Sequence, residues 1–210
     1  MIAFDSVSRD EMEAMITPMH RVLSPAPIPP SSSASAPTAT ALAKSAADAN
    51  IITPSASATT GALYLGSMAA AHDTDLLHAH HITHLVQVLE VPWMPQTDVP
   101  GFQYYRIDIE DNKSATLQPY LEEACDYIRA ALGDGNNVLV HCQQGVSRSA
   151  SIVIAYLIQE RSMGYDDAYQ LVRQRRKCIK PNPGFVETLR EWETSCTLKT
   201  KPPMRRTLSH

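Results

Sequence analysis

Residues 138–152 read VLVHCQQGVSRSASI, and the fold is decided there. Val138-Leu139-Val140 is a short, unbroken apolar run, as in a strand buried on both faces. Ser149–Glu160 is apolar nearly all round, which marks a helix inside a core. Between them lies a Cys-x5-Arg loop from Cys142 to Arg148. Each residue type in that loop meets a demand of anion binding. Successive backbone N–H groups can curl around one centre as an anion nest. The helix that begins near Ser149 adds its positive end to the same point. Gly145 removes a Cβ where the backbone turns sharply. Arg148 offers a planar fork that grips two oxygens, which a lysine could not do. The same positive field favours the thiolate of Cys142, and a thiolate beneath a bound anion is a nucleophile.

Outward from this loop the chain alternates strands and helices. Ala62–Gly66, Ile82–Leu89 and Gln103–Ile109 carry strand patterns. Leu117–Leu132 sets Leu121, Ala124, Ile128 and Leu132 on one helical face, with Pro119 tolerated in its first turn. Asp166 and Asp167 open the next helix and Arg173, Arg175 and Arg176 close it, matching the macrodipole. Asn182-Pro183 reads as the cap and first position of a last helix, with Phe185, Leu189 and Trp192 inward. The pattern predicts an α/β fold: a mostly parallel twisted sheet of four to five strands flanked by helices.

Of 210 residues, 19% are charged, below the globular average of roughly 25%. The deficit sits in residues 24–60, mostly Ala, Ser, Thr and Pro, a composition too poor in core-forming residues to offset chain entropy. Three regions are expected: a disordered 1–60, a folded domain over 61–195 and a flexible basic tail over 196–210. Glu11–Leu23 reads as a partly ordered tail, with Pro18 ending any helix there. Net charge −4 and a pI near 6.0 argue against nucleic-acid or anionic-membrane binding. The longest apolar run, Ile152–Ile158, falls far short of the roughly 18 residues that insert in a bilayer. The N-terminus lacks the layout of a secretory signal, and four widely spaced cysteines do not make a disulfide framework. A monomer of the cytoplasm or nucleus is the expectation.

The loop resembles the His-Cys-x-x-Gly-x-Ser-Arg-Ser signature of the cysteine-based protein tyrosine phosphatase superfamily, and within it the small dual-specificity phosphatases. The likeness continues through ASIVIAYLI (150–158) and IKPNPGFVETLREWE (179–193), and begins at LYLGS (63–67) and ITHLVQV (82–88). It implies a phosphoprotein substrate and no metal or cofactor. Cys142 is then the nucleophile. Arg148 and the loop positions Gln143, Gln144, Gly145, Val146 and Ser147 hold the phosphate. Ser149 stabilises the thiolate as it leaves, and its position also suits a helix N-cap. His141 supports Cys142 by hydrogen-bonding the loop backbone.

A leaving oxygen needs a proton donor. The stretch YRIDIEDNKS (105–114) offers Asp108 within a strand, and Glu110 and Asp111 at its end. The resemblance selects Asp111, with Glu110 in reserve. His78, His80, His81 and His84 lack a ligand pattern, because a helix gives way to a strand among them. Cys125, Cys178 and Cys196 read as ordinary thiols. Arg173–Lys180 reads as a helix end with a solvated face, one arginine of which could draw a second negative group of the substrate.

Two positions depart from the family pattern. Gln87 stands where asparagine commonly braces the loop, and Ile158 where methionine is frequent. The alternatives are the same chemistry on a phosphoinositide, an RNA 5′-phosphate or a glycan, and a silent phosphoprotein-binding module. Uncharged loop positions disfavour the first, Ser147 before the arginine disfavours the second, and retention of Cys142, Arg148 and Asp111 disfavours the silent module.

Overall fold

The computed structural model describes residues 8–27, 59–90 and 98–200. Residues 28–58 and 201–210, which hold most of the expected spacer and tail, lie outside the described residues. The elements in chain order are α1 (Arg9–Ile16), β1 (Met19–Leu23), β2 (Leu63–Ser67), α2 (Met68–His72), α3 (Thr74–Ala79), β3 (Ile82–Val88), β4 (Gln103–Ile107), α4 (Gln118–Gly133), β5 (Asn137–Cys142), α5 (Arg148–Arg161), α6 (Tyr165–Arg175) and α7 (Pro183–Thr200).

The five strands form one sheet in the order β1-β2-β5-β3-β4. All pairs are parallel except β1 with β2. Strand β5 sits at the centre, so Val138, Leu139 and Val140 are wholly buried, as their unbroken apolar run requires. One face packs α5 against α4, α6 and α7. The other carries α2 and α3 over Tyr64, Leu85 and Leu139. Helix α5 has no exposed residue from Ser149 to Ile158. Each of its buried Ile, Val and Leu side chains contributes on the order of 1.5–3 kcal/mol, so the helix that carries Arg148 is firmly anchored.

The N-terminal expectation needs correcting. Residues 8–23 are not a disordered tail. Ser8 and Glu11 close a reciprocal capping box on α1, Pro18 follows its end, and β1 then pairs with β2 as an antiparallel edge. Ala14, Met19 and Val22 are buried. The apolar residues of MHRVL, Met19, Val22 and Leu23, do not alternate and so do not register as a strand in the sequence, but two of them, Met19 and Val22, are buried and seat one on a sheet edge that already exists. Helix α7 also runs past the expected boundary at 195, to Thr200.

Candidate active site

Strand β5 ends at Cys142 and α5 begins at Arg148, so the loop lies at the carboxyl end of the parallel strands, where open α/β sheets place ligands. Four consecutive carbonyls of the loop are held from outside. Met68 N donates to the carbonyl of Gln143 (3.3 Å), and Lys180 N to that of Val146 (2.8 Å). The carbonyls of Gln144 and Gly145 accept from Arg176 Nη2 (3.0 Å) and Nε (2.9 Å). In a trans peptide the N–H points opposite the C=O, so pinning these oxygens outward turns the N–H groups of residues 144–147 inward, as a nest requires. Gly145 has φ +70, and a Cβ there would lie 2.6 Å from the Gly66 carbonyl. Only glycine fits.

Cys142 lies at the bottom of the loop, 2% exposed. Its Sγ accepts from Gly145 N (3.2 Å) and from Ser149 Oγ (3.1 Å). Arg148 donates from Nη1 to the Ile109 carbonyl (3.2 Å), while its buried Nε makes no hydrogen bond. Asp111 closes the site from the opposite side. Its Oδ1 accepts from Ser147 Oγ (2.7 Å) and Asn182 Nδ2 (2.8 Å), and its Oδ2 is 3.9 Å from Arg148 Nε. Asn182 is also the predicted cap of α7, accepting from Phe185 N (3.0 Å). One side chain thus starts a helix and holds the carboxylate. Cys142, Arg148, Asp111, Asn182 and Lys180 line a cavity of about 350 Å³.

Glu110 does not line that cavity and accepts from Asn112. Asp108 falls just past β4, not within a strand as expected. Ser149 is inside α5 and not its N-cap; Ser147 holds the cap position, and its hydroxyl serves Asp111 and Asn182 instead. His141 is 3% exposed, and its Nδ1 has no hydrogen-bond partner among the described residues, so it does not tie down the loop backbone as expected. Burial, aided by the charge of His72, pushes its pKa down to about 4, which keeps the ring neutral.

The basic run differs most from its reading. Arg176 is not on a solvated face: it is wholly buried and grips the loop from behind. Arg173 pairs with Glu11 and Lys177 with Asp10, both on α1. The only residue of the run on the described cavity is Lys180, which is not an arginine. Arg176 was detectable, since it continues the buried face Ala168–Val172 at a spacing of four; a run of neighbouring cations hides it. Position 87 departs from the family's bracing asparagine, and the loop is braced by Arg176. Gln87 makes no hydrogen bond to the loop among the described residues. Of the histidines, His80 caps the end of α3 and His84 lies in β3, bonded to Thr83.

A family model described as the dual specificity phosphatase catalytic domain matches residues 63–195. The chain is 40% identical over 133 residues to dual specificity protein phosphatase 1B of Arabidopsis thaliana, covering 63% of this chain and 78% of that protein. It is 39% identical over 132 residues to human dual specificity protein phosphatase 1, of which it spans only 35%. Among solved structures, a mouse putative dual specificity phosphatase complexed with zinc tungstate matches with TM-score 0.61 at 34% identity, over 65% of this chain and 85% of that one. Human tyrosine phosphatase-like serine/threonine/tyrosine-interacting protein matches with TM-score 0.60 at 36% identity, over 63% and 91%.

Proposed function

This chain belongs to the dual specificity phosphatase family, and we propose that it hydrolyses phosphotyrosine and phosphoserine/phosphothreonine monoesters of phosphoproteins through a cysteinyl-phosphate intermediate. The observation that carries this reading is the convergence on one cavity of a sulfur with two donors, an inward-turned run of amides, a guanidinium and a carboxylate.

In the first step Cys142 Sγ attacks phosphorus, the S–P bond forms and the bond to the leaving oxygen breaks. Arg148 and the loop amides hold the equatorial oxygens, whose charge spreads through a loose transition state. The unmet Nε of Arg148 supplies one arm of that fork. Asp111 gives its proton to the leaving oxygen. Its Oδ1 is already taken by Ser147 and Asn182, so Oδ2, facing Arg148, is the oxygen that carries the proton. In the second step Asp111, now ionised, takes a proton from water. The water oxygen attacks phosphorus, the S–P bond breaks, and inorganic phosphate leaves. Ser149 Oγ, 3.1 Å from the sulfur, stabilises the departing thiolate.

The test pairs wild-type turnover of a phosphopeptide panel with capture by Cys142→Ser. Wild type should release phosphate from phosphotyrosine and phosphothreonine peptides alike, and the variant should bind them without turnover. Turnover of phosphoinositides in preference to every peptide would replace the protein substrate with a lipid one.

A further inference from the structure

Arg176 is the largest wholly buried side chain among the described residues, and no carboxylate pairs with it there. Burying an arginine without a counter-ion is costly, and burial accordingly lowers its pKa. The guanidinium is instead satisfied by neutral acceptors from two parts of the chain distant in sequence. Nε and Nη2 face the loop carbonyls of Gly145 and Gln144. Nη1 faces the N-terminal segment, donating to the Thr17 carbonyl (2.9 Å) and lying 2.9 Å from His20 Nδ1.

We propose that the N-terminal segment is a working part of the phosphate-binding loop: Thr17 and His20 orient Arg176, and Arg176 orients the peptide planes that aim the Gly145 and Val146 amides at the phosphate. The inference rests on the catalytic reading of the loop given above. Arg176 and His20 are positioning residues, since neither lines the cavity. An arginine has one planar group that must serve both ends at once. Its fork lies on two loop carbonyls while its third edge is held by Thr17 and, from strand β1, by His20. The ring must present an unprotonated Nδ1 to accept from Nη1, and burial and the Arg176 charge both lower the His20 pKa, which favours the neutral form. The buried cation also stands behind the loop with its charge uncancelled by any described carboxylate, on the side opposite the incoming phosphate.

The chemistry selects the variants. Asparagine can place Oδ1 near the position of Nδ1, so His20→Asn keeps an acceptor, whereas His20→Leu fills the space and offers none. Arg176→Lys keeps the charge but cannot span two carbonyls and the N-terminal acceptors together. These substitutions are made in the full chain. The readouts are kcat and KM for a small aryl phosphate, the competitive inhibition constant of inorganic phosphate, and the thermal midpoint. His20→Leu should lower kcat and weaken phosphate inhibition, each by about fivefold or more, while the thermal midpoint stays within a few degrees of wild type. His20→Asn should recover most of both, and Arg176→Lys should lose at least as much as His20→Leu. Wild-type kcat and phosphate inhibition in His20→Leu would overturn the proposal, as would an asparagine variant no better than the leucine one. Cys142→Ser measured alongside keeps the two readings apart. If it is inactive while His20→Leu is normal, only the coupling fails; if it still turns over, the catalytic reading itself fails.

Discussion

At the scale of single residues, the proposed mechanism gives each side chain of the site a task that one substitution can remove. Cys142→Ser should abolish turnover and retain phosphate binding, because the outward-held carbonyls and Arg148 do not depend on the sulfur. Arg148→Lys should lose more than about 90% of the rate, on the order of 1.4 kcal/mol or more of barrier. Asp111→Asn should cost on the order of 10²-fold against a substrate with a poor leaving group, and progressively less as the leaving group improves. An equal deficit across a series of aryl phosphates would remove Asp111 as the acid. His141 makes a separate prediction about stability. Its folded pKa, about 4, is depressed from the ordinary 6.5 by burial. Between those values the unfolded chain takes up a proton that the folded chain refuses. The stability this buried neutral ring allows is therefore complete above pH 6.5, and is lost on descent towards pH 4, by on the order of 3 kcal/mol. Urea midpoints at pH 7 and 4.5 should converge for His141→Asn and diverge for wild type; equal pH slopes in the two proteins would discard this.

At the scale of elements, the site is a junction. The turn before α7 supplies Asn182, and the turn after β4 supplies Asp111. The turn after β4 meets the start of α7 at Gly184, where a Cβ would lie 2.2 Å from the Lys113 carbonyl. Gly184→Ala should push the turn bearing Asp111 outward. A rate at least tenfold lower is expected for a poor leaving group, with little loss for a very good one; a uniform loss would mean that the damage reaches the phosphate loop instead. The elements around this junction were legible in the sequence for definite reasons. Helix α5 and strand β5 are so apolar that only a central position suits them, and Asn182-Pro183 announces α7 by local chemistry alone. Strand β1 was illegible because its order comes from pairing with β2, not from its own five residues. Cys142, Arg148 and Ser149 were readable because the loop carries them in a fixed spacing, whereas Asp111 was singled out from Glu110 only by the family resemblance. The helper Arg176 was legible only as a buried position, four residues after Val172; its partners at residues 17 and 20 are joined to it only by the fold.

At the scale of the whole molecule, the sheet edge and the catalytic loop are one structure. If residues 1–60 were disordered, as composition suggests, removing them would leave fold and catalysis intact; the structure argues otherwise. A chain starting at residue 61 loses β1, uncovers the edge of β2 and deprives Arg176 of Thr17 and His20. Compared with full-length protein, it should unfold at lower denaturant and turn over an aryl phosphate at least tenfold more slowly. An unchanged midpoint and rate would show that the edge strand is ornamental. The same edge has a doorway. Ala26 and Thr60 exchange hydrogen bonds, the Thr60 amide reaching the Ala26 carbonyl at 2.8 Å and the Ala26 amide reaching Thr60 Oγ1 at 3.1 Å, and Pro27 bridges to Thr59. Pro27 and Thr59 are therefore held side by side. The entropy of closing an excursion between fixed ends grows only with the logarithm of its length, about 0.6 kcal/mol for each doubling. An insertion between Pro27 and Thr59, whether a longer spacer, a short address or an entire foreign domain, starts from ends that already hold one another and should leave the register of β1 on β2 as it was.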